Sequence, residues 1–104
     1  MARYNTDGSL DLNFGGDGVV TTDFTVADGA YSLAIQSDGK IVAAGYTSPG
    51  SGTFAALARY NTDGSLDVTF DSDGMVTTDF GGSTQVARSV AVQADGKIVA
   101  AGTV

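Results

Sequence analysis

Short apolar runs separated by glycine and aspartate turns set the texture of this chain. In Lys40-Ile41-Val42-Ala43-Ala44-Gly45-Tyr46, one face of an extended strand carries Ile41, Ala43 and Gly45 and the other carries Val42, Ala44 and Tyr46. Neither face is polar, so such a strand must lie between two other layers. Ser32-Leu33-Ala34-Ile35 is likewise apolar on both sides, with small residues that let neighbouring sheets approach closely. Val19-Val20-Thr21-Thr22-Asp23-Phe24 mixes Thr and Asp with Val and Phe and suits the margin of a sheet.

Helix signals are missing, and the punctuation is that of β-hairpins. Asp-Gly recurs at Asp7-Gly8, Asp17-Gly18, Asp28-Gly29, Asp38-Gly39, Asp63-Gly64, Asp73-Gly74 and Asp95-Gly96, a dipeptide that supplies positive φ for tight turns. Between these turns the pattern predicts strands over Gly18 to Phe24, Ala30 to Gln36, Lys40 to Thr47 and Thr53 to Tyr60, then Gly74 to Phe80, Val86 to Gln93 and Lys97 to Val104. Ser37-Asp38-Gly39 reads as a hairpin turn and Ser48 to Gly52 as a longer one. Met1 to Asn5 reads as the tail of a strand of the Thr53 to Tyr60 type, which brings the expected number to eight, some of them clipped.

These strands are written twice. Ala2-Arg3-Tyr4-Asn5-Thr6-Asp7-Gly8-Ser9-Leu10-Asp11 returns letter for letter as Ala58 to Asp67, 56 residues later, and the echo runs on to Val104. Ser32 and Gly39 return as Ser89 and Gly96, 57 residues later, so one residue has been inserted between Phe80 and Ser89. Length changes are tolerated in exposed loops, which makes Thr25 to Gly29 and Gly81 to Gln85 connections. The 104 residues therefore form a single region of two tandem repeats of about 56 residues, one over about 2–57 and a truncated one over about 58–104. Units of this kind cannot bury their apolar faces alone and are found stacked or in rings.

Composition removes several function classes. The chain has no cysteine, so neither a disulfide framework nor a thiolate zinc site is available. The net charge of −7 arises from 12 Asp against Lys40, Lys97, Arg3, Arg59 and Arg88, the reverse of what clustered phosphates require. No nucleic acid and no membrane is expected as a partner: the sign disfavours anionic lipid, and no apolar run approaches the roughly 20 residues of a helical span. Met1-Ala2-Arg3-Tyr4 is not a signal peptide; an export signal of a longer parent would lie outside these residues.

Four-stranded antiparallel sheets, apolar on both faces and repeating every 56 or so residues, fit the blades of a β-propeller. The main rival is a β-solenoid or linear filament, whose repeats are usually shorter and lack four hairpin-linked strands per period. The expected fold is thus all-β, with two four-stranded blades per chain.

The motif order Leu57 to Asp67, Phe70, Thr77-Thr78-Asp79-Phe80 and Val92-Gln93-Ala94-Asp95-Gly96-Lys97-Ile98-Val99-Ala100-Ala101-Gly102 resembles the delta-60 repeat across essentially the whole chain. That resemblance implies a propeller-forming repeat found in tandem in large bacterial proteins, many of them exported to the cell surface or beyond. It carries no catalytic residues to transfer. Gln36 to Gly45 also resembles the innermost hairpin of NHL-type blades, which implies that Ala30 to Gln36 lines the channel and Gly18 to Phe24 lies outside. In that phase the chain opens with two outer strands of one blade, contains one whole blade, and closes with two inner strands of another.

The missing halves are complementary. A lone chain would expose two open sheet edges and two apolar blade faces, and head-to-tail pairing with a second copy removes all of them. The expected partner is the chain itself, in a cyclic homo-oligomer. Two blades per chain and 4 to 8 blades per propeller admit dimers, trimers and tetramers, with trimer or tetramer favoured because a dimer would need the tightest ring. An open, non-closing version of the same contact would give a filament.

Chemistry is sparse. There is no His, Cys, Glu or Trp, so the usual acid–base and nucleophilic machinery is missing, and the expectation is a protein with no catalytic residues, no metal and no cofactor. Asp71 and Asp73 form a candidate acid–base pair, but Asp71-Ser72-Asp73-Gly74 has the setting of a turn. Asn5 to Asp11 and Asn61 to Asp67 place oxygens at alternate positions around a glycine, as a calcium loop does, yet the glycine is misplaced and no bidentate Glu follows. An Asx-type turn, its carboxylates bonding nearby backbone amides, is the simpler account of them. Tyr4, Tyr60, Phe14, Phe70, Phe24, Phe80 and Phe54 recur at equivalent positions, where packing between blades competes with a sugar-stacking role. Arg3 and Arg59 are expected to pair with aspartates. Two functions follow: a structural repeat module that self-assembles, or a propeller module presenting Asp-rich loops to a glycan or protein, with binding residues that the sequence does not single out. The loops are nearly as alike as the strands, which favours the first. The near-identity of the copies fits either recent amplification or deliberate trimming of a longer array.

Overall fold

The structure, a computed structural model, describes residues 1–22 and 28–104. Its strands are β1 (Asp28–Ile35), β2 (Ile41–Thr47), β3 (Phe54–Tyr60), β4 (Met75–Thr78), β5 (Val86–Val92) and β6 (Ile98–Thr103). Strands β1 to β4 form one antiparallel sheet in the order β1-β2-β3-β4, and β5 and β6 form a separate antiparallel hairpin. An all-antiparallel meander is the arrangement of a propeller blade, whereas a solenoid coil would pair its strands in parallel.

Strand β2 holds the centre of the sheet, buried along nearly its whole length as its two apolar faces require. Ile41 and Ala43 point to one side, where they join Ala58, Tyr60 and Phe14 in a cluster flanked by Met1, Val20, Leu66 and Met75. Val42 and Ala44 point to the other side and pack with Ala55, Ala87 and Val90, flanked by Ala34, Leu57, Val92 and Ile98. The complete blade is thus sandwiched, with residues 1–20 on one face and the β5–β6 hairpin on the other.

The expected eight strands become six among the described residues, and the expected second four-stranded blade becomes a two-stranded hairpin. Gly18 to Phe24 is not a strand where it is described: Val19 makes a single bridge to Ala2, and Val20 N donates to Met1 O at 2.8 Å. The reason is the partner. In the second copy β4 pairs with Ala55 to Ala58, whereas the first copy supplies only Met1 and Ala2 at the corresponding places. Asp23 and Phe24 lie outside the described residues. Likewise Gly74 to Phe80 shortens to β4, because Asp79 leaves the ladder to accept from Gly81 N and Gln85 Nε2. The expected connection Thr25 to Gly29 is corrected at its end: Asp28 and Gly29 belong to β1, opposite Thr47 and Tyr46, and Gly29 does not take the positive φ seen in the other six Asp-Gly pairs. Strand β1 itself is not covered on both faces; Tyr31, Leu33 and Ile35 are exposed.

Each inner hairpin carries the same irregularity. The register of β1 on β2 shifts between Ala30 and Ser32, leaving Tyr31 as the extra residue, and that of β5 on β6 shifts between Ala87 and Ser89, leaving Arg88. These are β-bulges at equivalent positions. The Arg88 guanidinium sits 5.3 Å from the centre of the Tyr31 ring. Beside each bulge the backbones close up. A Cβ on Gly45 would lie 1.8 Å from Gly29 O, and one on Gly102 would lie 1.8 Å from Val86 O. Both sites accept only glycine. Gly45→Ala should therefore cost about 1–3 kcal/mol or more, as overpacking does, read as a lowered midpoint in urea unfolding; an unchanged midpoint would contradict this packing.

Candidate assembly interface

Each repeat builds one polar cluster at the mouth of its outer strands. In the complete blade, Asp67 is buried, and its Oδ2 accepts from Lys40 Nζ at 2.7 Å and Arg59 Nε at 2.9 Å. Oδ1 accepts from Thr69 N at 3.1 Å and Thr69 Oγ1 at 2.6 Å. The Arg59 guanidinium lies 4.6 Å from the Phe70 ring centre, so its charge is held between a carboxylate and an aromatic face. Lys40, then Thr69 and Arg59, hold the Asp67 carboxyl well below the usual carboxylate range, against the opposing effect of its burial.

The first copy has the same Arg, Asp and Phe, but lacks the lysine and has Asn13, which donates only its backbone N to Asp11 Oδ1, in place of Thr69. Arg3 Nε donates to Asp11 Oδ2 at 2.8 Å and lies 4.7 Å from the Phe14 ring centre. Arg3 and Arg59 thus pair with aspartates as expected. No lysine reaches Asp11. The residue equivalent to Lys40 is Lys97, which is largely exposed and approaches only Asp95, at 3.9 Å.

Around these clusters, identical or similar residues differ sharply in burial between the copies. Val42 is fully buried while Val99 is 49% exposed; Tyr60 is 4% exposed while Tyr4 is 63%; Val90 is 8% exposed while its counterpart Leu33 is 53%. The chemistry is the same within each pair, so the neighbour is what differs. Two grooves lie between units. One, of about 250 Å³, lies within the junction of residues 1–22 with the blade, lined by Met1, Val20, Thr22, Ala43, Ala58 and Tyr60. The other, of about 240 Å³, lies between β6 and the blade, lined by Leu57, Thr78, Phe80 and Ala100.

The junction already present shows which contacts one unit makes with the next. Residues 1–20 contact the turn of the next unit: Arg3 Nη1 donates to Thr62 O at 2.5 Å and Gly15 N to Asp63 O at 2.8 Å. Gly64 seats against Phe14 and Val20, with room for no side chain, whereas its counterpart Gly8 faces open space. Tyr60 Oη and Thr22 Oγ1 share a hydrogen bond of 2.6 Å across the same junction, and burial pushes the Tyr60 phenol up from its ordinary value.

The other residues singled out by sequence are turn builders. Asp7 Oδ1 accepts from Ser9 N and Ser9 Oγ at 2.9 and 2.6 Å, while Asn5 Nδ2 donates to Ser9 Oγ and Leu10 O. Asn61, Asp63 and Ser65 repeat this geometry. Hydrogen bonds from Ser9 and Ser65 lower the pKa of Asp7 and Asp63. Asp73 Oδ1 accepts from Met75 N in the same manner, and Asp71 and Ser72 take φ of 51° and 64° where the first copy has Gly15 and Gly16. Of the aromatics, Phe14 and Tyr60 are core, Phe54 and Phe70 half-buried, Tyr4 and Phe80 exposed; Phe24 lies outside the described residues. Among the described residues, no group of three or more His, Cys, Asp or Glu is placed to hold a metal ion.

Sequence reasoning missed the Lys40 to Asp67 link, although both lysines and both aspartates recur at fixed places in the repeat. It also missed Gln85, fully buried, whose Nε2 donates to Asp79 Oδ1 and Gly82 O at 2.8 Å and whose Oε1 accepts from Phe80 N. Gln85 has no equivalent signal in the pattern, because it lies in the connection where the copies differ in length.

Residues 1–14 and 36–70 match the model of a family described as a domain of unknown function (DUF5122), beta-propeller. Both copies of the Arg, Asp and Phe cluster fall within the matched stretches. No curated protein and no solved structure matches the chain.

Two outcomes are expected. A carboxylate with a depressed folded pKa stabilises the fold above its unfolded value of about 3.9 and loses that contribution as pH falls. Stability should therefore decline as pH drops below about 5, and Asp67→Asn should flatten that decline, as seen by urea unfolding at a series of pH values. Because the Asn5 to Asp11 loop is closed by its own hydrogen bonds, thermal melting should be the same in excess calcium and in chelator.

Proposed function

We propose that the chain is a structural β-propeller module of the delta-60 repeat type, that its property is head-to-tail self-assembly into a closed ring, and that it performs no catalysis. The observation carrying this reading is the complementarity of its two open sides. Within these 104 residues, one side presents the bridged segment 1–22 without a hairpin of the β1–β2 type, and the other presents the hairpin β5–β6 without strands of the β3–β4 type. Each side exposes the apolar residues whose counterparts are buried at the junction within the chain.

Self-association is also the economical solution for the exposed surface. Leu33, Ile35, Val99 and the free edge of β6 form apolar patches beside unpaired backbone groups, the combination that natural sheets cover. A second copy supplies both the strand and the face. The contact is heterologous, so it closes when the rotation per copy divides the circle. With two blades per copy, a trimer gives six blades and a tetramer eight, both within the usual range. The copies' nearly identical loops support assembly over a dedicated ligand site.

Light scattering coupled to size exclusion should give a mass three or four times 10.4 kDa. Leu33→Asp, exposed within one chain, should leave the β circular dichroism signal intact and abolish the oligomer. A folded monomer at high concentration would refute the proposal.

A further inference from the structure

We infer that Lys97 of one copy completes the Arg3 and Asp11 cluster of a second copy, whose residues 1–4 pair with β6 in the register Ala100 to Ala2 and place Tyr4 in the groove at Thr78. The inference rests on the self-assembly reading and adds to it the register and the side chains that select it. The occupant of the groove is a second copy of this chain, argued from the junction that the chain already contains.

The template is the β2–β3 ladder, in which Ile41 faces Tyr60, Val42 faces Arg59 and Ala43 faces Ala58. Strand β6 repeats β2 and residues 2–11 repeat 58–67 without change. Transferring the ladder puts Ile98 opposite Tyr4, Val99 opposite Arg3 and Ala100 opposite Ala2. A slip by one residue would turn Tyr4 and Ala2 to the opposite face, so the apolar pattern excludes odd slips, and the side-chain contacts below select among the rest.

Three contacts of the template carry over with it. First, Lys40 Nζ reaches Asp67 Oδ2 at 2.7 Å within the blade, and the transferred pair is Lys97 to Asp11. Lys97 is 78% exposed in its side chain, and among the described residues Arg3 is the charged group on Asp11, whose other oxygen accepts from Asn13 N. Charge complementarity is therefore waiting on both sides of the contact. Second, Tyr60 Oη meets Thr22 Oγ1 at 2.6 Å, and the transferred pair is Tyr4 with Thr78, a residue that lines the 240 Å³ groove. Third, Gly64 seats on Phe14 and Val20, and the transferred seat for Gly8 is Phe70 and Val76, with Phe70 half-buried beneath Arg59. On the far side of the same joint, Val99 and Ala101 of one copy would cover Leu33 and Ala30 of the next, as Val42 and Ala44 cover Val90 and Ala87.

The chain has no native cysteine, so paired cysteines report the register directly. Ala2→Cys with Ala100→Cys in one chain should be joined by a short thiol cross-linker into covalent multiples that match the native mass. Ala2→Cys with Val99→Cys or with Ala101→Cys, whose side chains point to the opposite face, should not. Independently, Lys97→Asp should weaken association about tenfold or more, and Lys97→Asp with Asp11→Lys should restore it. An oligomer of native mass that cross-links through 99 or 101 and not through 100, or that ignores the charge reversal, overturns this register while leaving self-assembly standing. A monomeric unmodified chain overturns both.

Discussion

The structure depends on one requirement: a strand with two apolar faces must be covered twice. Val42 and Ala44 face one way and Ile41 and Ala43 the other, so β2 is stable only in the middle of a sandwich. No single sheet meets that condition. Each blade needs a neighbour on both sides, and the small Ala and Gly side chains along β2 and β3 let those neighbours come close enough to exclude water. The hairpin β5–β6 and residues 1–20 are the partial neighbours that this chain provides for its own central blade.

Polar contacts sit at the corners of that sandwich and set how the layers align. Asp67 gathers Lys40 from the start of β2 and Arg59 from β3, tying the hairpin end of one strand pair to the turn that leaves the next. Arg59 in turn lies over Phe70, so charge and apolar packing share one side chain. The Asx turns at Asn5 and Asn61 hold the loop that the neighbouring unit contacts through Thr62 and Asp63. Burial differs between the copies while these local geometries do not, because turn hydrogen bonds are made within a few residues and face packing is made between units.

That division explains what was legible in the sequence. The meander of β1 to β4 and the hairpin turns at Asp38-Gly39 and Asp95-Gly96 follow from short-range patterns of alternation and punctuation. Strand ends that depend on a partner were misread: residues 18–22 have an adequate strand pattern but too little chain opposite them, and Asp28-Gly29 has a turn dipeptide but lies against Tyr46 and Thr47. The Lys40, Arg59 and Asp67 cluster spans 27 residues and is set by sheet register, which no local pattern displays. Recurrence at equal places in both repeats was its one trace.

The bulges at Tyr31 and Arg88 have a consequence for how such a repeat can change. The extra residue stands outside the ladder, so its side chain is released from the alternation that fixes its neighbours. Between β1 and β5 the least alike pair is this one, a tyrosine against an arginine, while Ala30, Ser32 and Ala34 return unchanged as Ala87, Ser89 and Ala91. The first strand of each unit therefore contains one position outside the ladder, where a change of side chain alters the Tyr31 and Arg88 contact between units without breaking strand pairing.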